Sequence, residues 1–223
     1  MAKESFASYL LINGGNSNLG SKALDGESSA GVFSKTVDRN MGGEFGFVYL
    51  QQRFALRFGF EFLKPDRLEG TSASTSSGSA ELYKVDSEVI GYIPKVGAEI
   101  HLLQFENQRV YLQGTVGLAS VTLKNAYTDV TIAPTASHTV EAKGTGNLIQ
   151  GGIGYEVYVF DKTTFATELN YRSLVIDNLK YSKSVTTFSG AKFDGQDYVG
   201  ASGAQRTLDF TGYYISIGFR WWL

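Results

Sequence analysis

Catalysis needs a nucleophile, a base or a metal cage, and this sequence offers few of them. There is no Cys, which excludes disulfide and thiolate chemistry, and there are only two His. His138 lies in Ser137-His138-Thr139-Val140-Glu141, a hydroxyl, an imidazole and a carboxylate close together in the chain. Closeness in sequence does not make a triad, because triads are assembled in space from separate elements. Asp, Glu and His nowhere fall at metal-ligand spacing, so no metal and no cofactor is expected. The run Gly151-Gly-Ile-Gly154 alternates within a strand pattern and opens no helix, which rules out a nucleotide loop. What remains is a set of charges of both signs standing at alternate positions in apolar stretches: Arg57, Glu61, Lys95, Glu99, Glu156, Glu168, Arg172 and Arg220. Such charges can pair, plug or gate.

The elements that carry them read as strands. In Phe54–Phe62, one face holds Phe54, Leu56, Phe58, Phe60 and Phe62, and the other Ala55, Arg57, Gly59 and Glu61. The same alternation predicts eight strands: Glu4–Asn13, Arg39–Leu50, Phe54–Phe62, Lys84–Leu103, Arg109–Lys124, Lys143–Phe160, Thr164–Leu174 and Arg206–Leu223. Connections after the second, fourth and sixth strands are tight. The other four are long: Gly14–Asp38, Lys64–Tyr83, Asn125–Ala142 and Ser173–Gln205. Short turns on one rim and long loops on the other describe an eight-stranded antiparallel up-and-down transmembrane β-barrel, all-β, one domain over residues 1–223. The long loops are rich in Ser, Thr, Gly and Asp, with Thr71–Ser79 close to low complexity, and read as solvated and mobile.

Alternation alone does not say which face meets water. An eight-stranded barrel has an interior just wide enough to be filled by side chains. Four to six large apolar residues from most strands would overfill it. The opposite face is loaded with Gly (46, 59, 91, 97, 117, 152, 154, 212 and 218), which makes room for long charged neighbours inside a narrow lumen. Tyr49, Tyr171, Trp221 and Trp222 gather near strand ends, as interfacial girdles require. The apolar face therefore points to lipid. At 43% hydrophobic, the chain has no stretch of roughly 18 apolar residues, so a helical membrane protein is excluded. A net charge of −2 favours neither nucleic acid nor an anionic surface. The opening Met1-Ala-Lys-Glu-Ser has no signal-peptide pattern, and the expectation is a mature chain with an added initiator Met.

This pattern resembles the small Gram-negative outer-membrane barrels of the OmpA-, OmpX- and OmpW-type group over its whole length. The most specific piece is Gly212-Tyr-Tyr-Ile-Ser-Ile-Gly-Phe-Arg-Trp-Trp-Leu223, with apolar residues at the terminus and each second position before it. It is similar to that group's C-terminal assembly signal, although it ends in Leu rather than Phe or Trp. The resemblance implies an outer-membrane monomer in contact with membrane lipid and lipopolysaccharide, assembled by the barrel-assembly machinery through its last strand. It also implies interior ion pairs.

Two layers of inward charge are expected: Arg57, Glu99, Glu156, Glu168 and Arg220 near the short-turn rim, and Glu61, Lys95 and Arg172 deeper. Arg57 would face Glu99, and Glu61 would face Lys95, on neighbouring strands. One reading is a structural plug; the other is a gate whose pairs switch partners to pass ions. His101 faces inward near the short-turn rim and reads as a network member. Pro94 must delete a ladder hydrogen bond, either at a bulge or bend or, as the OmpW-type resemblance suggests, at a seam for lateral exit of apolar solutes. Tyr181, Phe188, Phe193 and Tyr198 in the longest loop are either contact residues for an unknown extracellular ligand or a lid packed on neighbouring loops. The expected function is structural or adhesive and non-enzymatic, with a narrow channel or lateral-exit path second. A lipid-modifying enzyme, comparable to the lipid A deacylases and acyltransferases, stands third.

Overall fold

Period-two alternation carries almost the whole chain into β-structure. The computed structural model describes residues 4–20, 32–33, 37–74, 80–131, 136–200 and 203–223. The strands are β1 (Glu4–Gly20), β2 (Val32–Phe33), β3 (Val37–Gln51), β4 (Phe54–Pro65), β5 (Leu68–Ser74), β6 (Glu81–Gln104), β7 (Gln108–Thr128), β8 (His138–Phe160), β9 (Thr163–Ile176), β10 (Lys180–Tyr181), β11 (Val185–Thr187), β12 (Gly190–Lys192), β13 (Leu208–Asp209) and β14 (Gly212–Trp222). Eight of them form an antiparallel ring in the order β1-β3-β4-β6-β7-β8-β9-β14. Closure comes from β14 against β1, in register from Ala7↔Trp222 to Gly15↔Tyr214, with the Leu223 N–H donating to the Phe6 carbonyl at 2.9 Å. A closed ring leaves no unpaired edge in lipid.

Three tight connections define one rim: Gln52-Arg53, residues 105–107 and Asp161-Lys162. Gln52 takes a left-handed φ of 58° to make the first of them. At the other rim the structure departs from the expectation of solvated loops. Strands β6, β7 and β8 run for 24, 21 and 23 residues, about twice the 9–11 that cross a bilayer. Much of Asn125–Ala142 and Lys64–Tyr83 is thus strand, and Ser173–Gln205 contains β10, the β11–β12 hairpin and the end of β9. Residues 75–79 of the Ser/Thr-rich run lie outside the described residues.

The polarity of the two faces inverts along these long strands, while inward and outward positions keep one parity. Near the short-turn rim, β6 points Tyr92, Pro94, Val96 and Ile100 out, with Lys95 and Glu99 in. Towards the long-loop rim it points Lys84, Asp86 and Glu88 out, with Tyr83, Val85 and Val89 in. On β7, Val116 and Leu118 give way outside to Ser120 and Lys124, while inside Gln113 and Thr115 give way to Val121 and Leu123.

Pro94 interrupts one ladder without a bulge. Tyr92↔Ser120 and Lys95↔Gly117 keep the same register on β6–β7, with Ile93 and Pro94 unpaired between them. Proline has no N–H to give β7, and the gap is that missing bond rather than the bend or bulge that would have shifted the register.

Candidate functional site

The barrel interior has two zones. In the short-turn half, five cations (Arg57, Lys95, Arg109, Arg172, Arg220) and five carboxylates (Glu44, Glu61, Glu99, Glu156, Glu168) are all buried. Burial of each charge is costly unless it is paired and hydrogen-bonded, and equal numbers make that possible. Three pairs cross the full lumen. Arg57 on β4 donates to Glu168 on β9 at 2.7 Å; Arg172 on β9 donates to Glu61 on β4 at 2.7 Å; Arg220 on β14 donates twice to Glu99 on β6, at 2.9 and 2.8 Å. β4 and β9, and β6 and β14, are each four strands apart in either direction around the ring, so these pairs are diametric.

The expected neighbour pairs fare differently. Lys95 does reach Glu61, at 2.7 Å, and also binds Glu44. Arg57 lies 3.6 Å from Glu99 and spends its hydrogen bonds on Glu44 at 2.8 Å, Glu168, Gln113 and Tyr9. In so narrow a lumen side chains from opposite walls meet near the axis, and a long guanidinium reaches the carboxylate aimed at it.

Several members were not anticipated. Glu44 joins the two layers by binding both Arg57 and Lys95. Arg109 pairs with Glu156 at 2.6 Å and lies 4.2 Å over the Trp222 ring. Tyr9 and Tyr111 donate their hydroxyls to Glu44 and Glu168, at 2.7 and 2.8 Å. Trp222 corrects the girdle assignment: it turns inward, its indole N–H donating to Glu156 at 3.0 Å, while Trp221 faces out. The inward parity of Glu44 and Arg109 on their strands was the signal that could have found both. His101 is buried, 3.7 Å from Glu99. The glycines make room for tyrosines as well as charges: a Cβ at Gly59 would run into the Tyr9 hydroxyl, and one at Gly154 into the Tyr111 ring.

The long-loop half is filled differently. Val85, Val89, Ile93, Val121, Leu123, Val140, Leu148, Leu174 and Ile176 from the barrel strands pack against Leu179, Tyr181, Tyr198, Leu208 and Phe210 from the last long connection. Tyr181 and Tyr198 are 1% and 0% exposed, which removes them as surface contacts. Their rings meet edge-on at 5.0 Å, and Asn125 donates to the Tyr198 hydroxyl at 3.4 Å. Phe188 is partly buried among Tyr83, Tyr127 and His138 at 5.0, 5.5 and 4.9 Å. Of the four aromatics, Phe193 alone is exposed, at 66%. Three of them thus form a lid, because their connection folds down onto the apolar inner face of β6–β8.

His138 is equally committed. Its ring stacks on Tyr127 at 4.9 Å and Nδ1 lies 3.0 Å from the Ala136 carbonyl. Glu141 is held by Lys183 at 2.8 Å and Ser182 at 2.9 Å, and the Lys183 ammonium keeps its carboxyl below the usual range. Pro94 faces outward on a shallow depression of about 660 Å³ shared with Val96, Val116, Leu118, Asn147 and Ile149.

A closed ring of eight antiparallel strands, apolar outside and ionic within, has one architecture. The chain is a small membrane-spanning β-barrel. No protein-family model matches the sequence, and no curated protein matches it either. Among solved structures it is similar to the outer membrane protein OprG from Pseudomonas aeruginosa, at 14% identity and a TM-score of 0.48, over 100% of this chain and 96% of that one. It is also similar to the attachment invasion locus protein Ail of Yersinia pestis (11% identity, TM-score 0.47, 99% and 100% covered). A major outer membrane protein from Thermus thermophilus gives 11% identity, a TM-score of 0.49 and full coverage of both chains. A likeness this distant is one of fold and says nothing about activity.

Proposed function

We propose that the protein is a non-conducting, non-enzymatic outer-membrane barrel whose role, structural or adhesive, is carried by the ordered β-surface it holds beyond the lipid. The observation that supports this reading is the double closure of the lumen. Three diametric ion pairs bridge the short-turn half, and the apolar packing under Tyr181 and Tyr198 fills the other half. Each of the five carboxylates holds a cation, and these pairs occupy the cross-section of the short-turn half. Strands β6–β8 and the β11–β12 hairpin then present the exposed surface, with Phe193 on it, to an extracellular partner. The test is conductance in planar bilayers: the reading expects silence, and steady single-channel steps would sink it. Acyl-hydrolase activity should be absent in the wild type, and a His138→Ala change should leave the spectrum of activities unaltered.

A second reading has its own observation. The ladder gap at Ile93 and Pro94 opens on the lipid side beside the outer depression, and Ile93 borders the apolar upper interior. A small apolar solute passing down through that interior would leave there. Pro94→Val restores the N–H and should reduce uptake of such a solute into proteoliposomes; unaltered uptake counts against the seam.

A further inference from the structure

Between the ionic half of the lumen and the apolar half lies one level whose polar groups the protein does not satisfy by itself. Thr115 on β7, Gln150 on β8 and Arg172 on β9 stand opposite one another in register, Thr115↔Gln150 and Gln150↔Arg172. All three point inward and are buried, at 5%, 5% and 1% exposure. Arg172 donates through Nη2 to Glu61 at 2.7 Å, and its guanidinium carbon lies 3.7 Å over the Tyr214 ring. Its Nε and Nη1, the Gln150 Oε1 and the Thr115 hydroxyl have no hydrogen-bond partner among the described residues. Four such atoms on three adjacent strands are costly, because each has left bulk water without gaining a bond.

The levels on either side are different. One inward position nearer the short-turn rim, Gln113 donates to Asn170 at 2.5 Å and to Glu168 at 2.8 Å, and Asn170 donates to Ser216 at 3.3 Å. Between them on β8 stands Gly152, where a Cβ would collide with the Asn170 amide oxygen, so no β8 side chain rises from there to meet Gln150. One inward position towards the long-loop rim are Leu148 on β8 and Leu174 on β9, 1% and 0% exposed, with no polar side-chain atom to offer. Bonded amides thus floor the unsatisfied level and the apolar packing roofs it.

Side chains opposite one another across a sheet are about 4.5–5.5 Å apart at Cβ, so a small molecule can bridge groups that do not touch. The molecule must accept from Arg172 and donate to Gln150, while the Thr115 hydroxyl can do either. A halide only accepts and would face the Gln150 carbonyl oxygen; a metal cation would face the Arg172 guanidinium. Water both accepts and donates, and buried waters typically make about three hydrogen bonds to groups of this kind. We propose that Thr115, Gln150 and Arg172 hold a short chain of ordered internal water, which accepts from Arg172 Nε and Nη1, donates to Gln150 Oε1 and reaches Thr115 Oγ1. The water occupies the free edge of the guanidinium and so helps to hold Nη2 on Glu61, one of the three diametric bonds. The ionic plug then has a wet upper surface beneath a dry cap. The inference goes beyond the role proposed for the protein and holds whether that role is structural or adhesive.

Magnetic resonance of the refolded protein in detergent micelles tests this directly. The Thr115 methyl protons and the Arg172 Nε–H should show cross-peaks at the water frequency, of opposite sign in laboratory-frame and rotating-frame experiments, the signature of long-lived bound water rather than proton exchange. Stability gives a second readout. Thr115→Val keeps the shape of the side chain and suits a strand at least as well, and Gln150→Met keeps its length. In a dry lumen each change removes an unpaired acceptor, and the urea midpoint stays level or rises. With water bound, each change breaks one of its bonds and the midpoint should fall, while Gln150→Met should also lose the Arg172 cross-peak. Replacing sulfate by chloride at constant ionic strength should leave the midpoint where it is. The proposal is overturned if the wild-type cross-peaks are absent, if both variants are at least as stable as wild type, or if the midpoint climbs with chloride, which would assign an anion to the Arg172 edge. The wild-type cross-peaks decide the matter even where a variant fails to refold.

Discussion

Arg220→Met tests the plug where it is most tightly built. Arg220 donates to Glu99 at 2.9 and 2.8 Å and to Glu168 at 3.0 Å, and Glu156 lies 3.4 Å away. Without it, Glu168 keeps Arg57 at 2.7 Å and Tyr111 at 2.8 Å, and Glu156 keeps Arg109 at 2.6 Å. Glu99 keeps only Arg57 at 3.6 Å and His101 at 3.7 Å, so the damage concentrates on one fully buried carboxylate. Two charge-assisted bonds at about 1.5–3 kcal/mol each bound the loss from above. Stranding a buried partner gives about 3–5 kcal/mol, and the remaining contact to Arg57 places the expectation at the lower end, about 3 kcal/mol. Glu99→Gln alone should cost less, because Arg220 still has Glu156 and Glu168. The two changes together should recover about 1 kcal/mol or more relative to their sum, the coupling expected of residues in one network. Urea unfolding in detergent micelles, followed by the fluorescence of Trp222 inside the network, measures all three. A loss under about 1 kcal/mol for Arg220→Met, or strict additivity of the pair, would refute the plug, since that is how solvated ion pairs behave.

Three further outcomes follow from the geometry. Gly154→Ala should destabilise the barrel by about 1–3 kcal/mol in the same assay, because the new methyl collides with the Tyr111 ring and overpacks the lumen. The Glu141 carboxyl is held below its usual range by Lys183 and Ser182, so its tether is intact above the unfolded-state value near pH 4.3 and is lost as pH falls through the lower folded value. The protection factor against hydrogen exchange across residues 180–200, corrected for the intrinsic pH dependence of exchange, should therefore be flat from neutrality to about pH 5 and fall only below about pH 4. Spin labels or brominated lipids should report residues 96 and 100 in contact with acyl chains and residues 84 and 86 in water; lipid contact at 84 would reverse the placement of the membrane on β6.

Strands and closure were legible because alternation is local: each of Phe54–Phe62, Thr164–Leu174 and Gly212–Leu223 declares its two faces without help from its neighbours. Partners across the lumen were not legible. Whether Arg57 bonds Glu99 or Glu168 depends on barrel shear and diameter, which no single strand encodes; adjacency in the sheet finds the Glu61–Lys95 pair and misses the diametric ones. Glu44 and Arg109 stand at inward parity on their strands, the same signal that marks the other eight charges. The aromatics of the last connection were the hardest case. Composition describes Ser173–Gln205 as polar, but its Leu179, Tyr181 and Tyr198, with Leu208 and Phe210 just beyond it, have a place to go only because β6–β8 extend beyond the lipid with apolar inner faces.

That extension accounts for the inversion of polarity between the two faces. Within the bilayer the hydrophobic effect does not distinguish the barrel interior from the acyl chains, so an apolar lumen would leave both faces of every strand alike. A register slip of one residue would then cost little. Charges inside remove that degeneracy, since a slip would place Arg57, Glu99 or Glu168 in hydrocarbon. Beyond the headgroups the surroundings are water and the same logic reverses: Lys84, Asp86, Glu88 and Lys124 go out, and Val85, Val89, Val121 and Leu123 go in. On β6 the outer face changes between Glu88 and Ile90 and the inner face between Ile93 and Lys95; on β7 the outer face changes between Leu118 and Ser120. One continuous strand thus serves two solvents, and the level at which its pattern flips is where the membrane surface must lie.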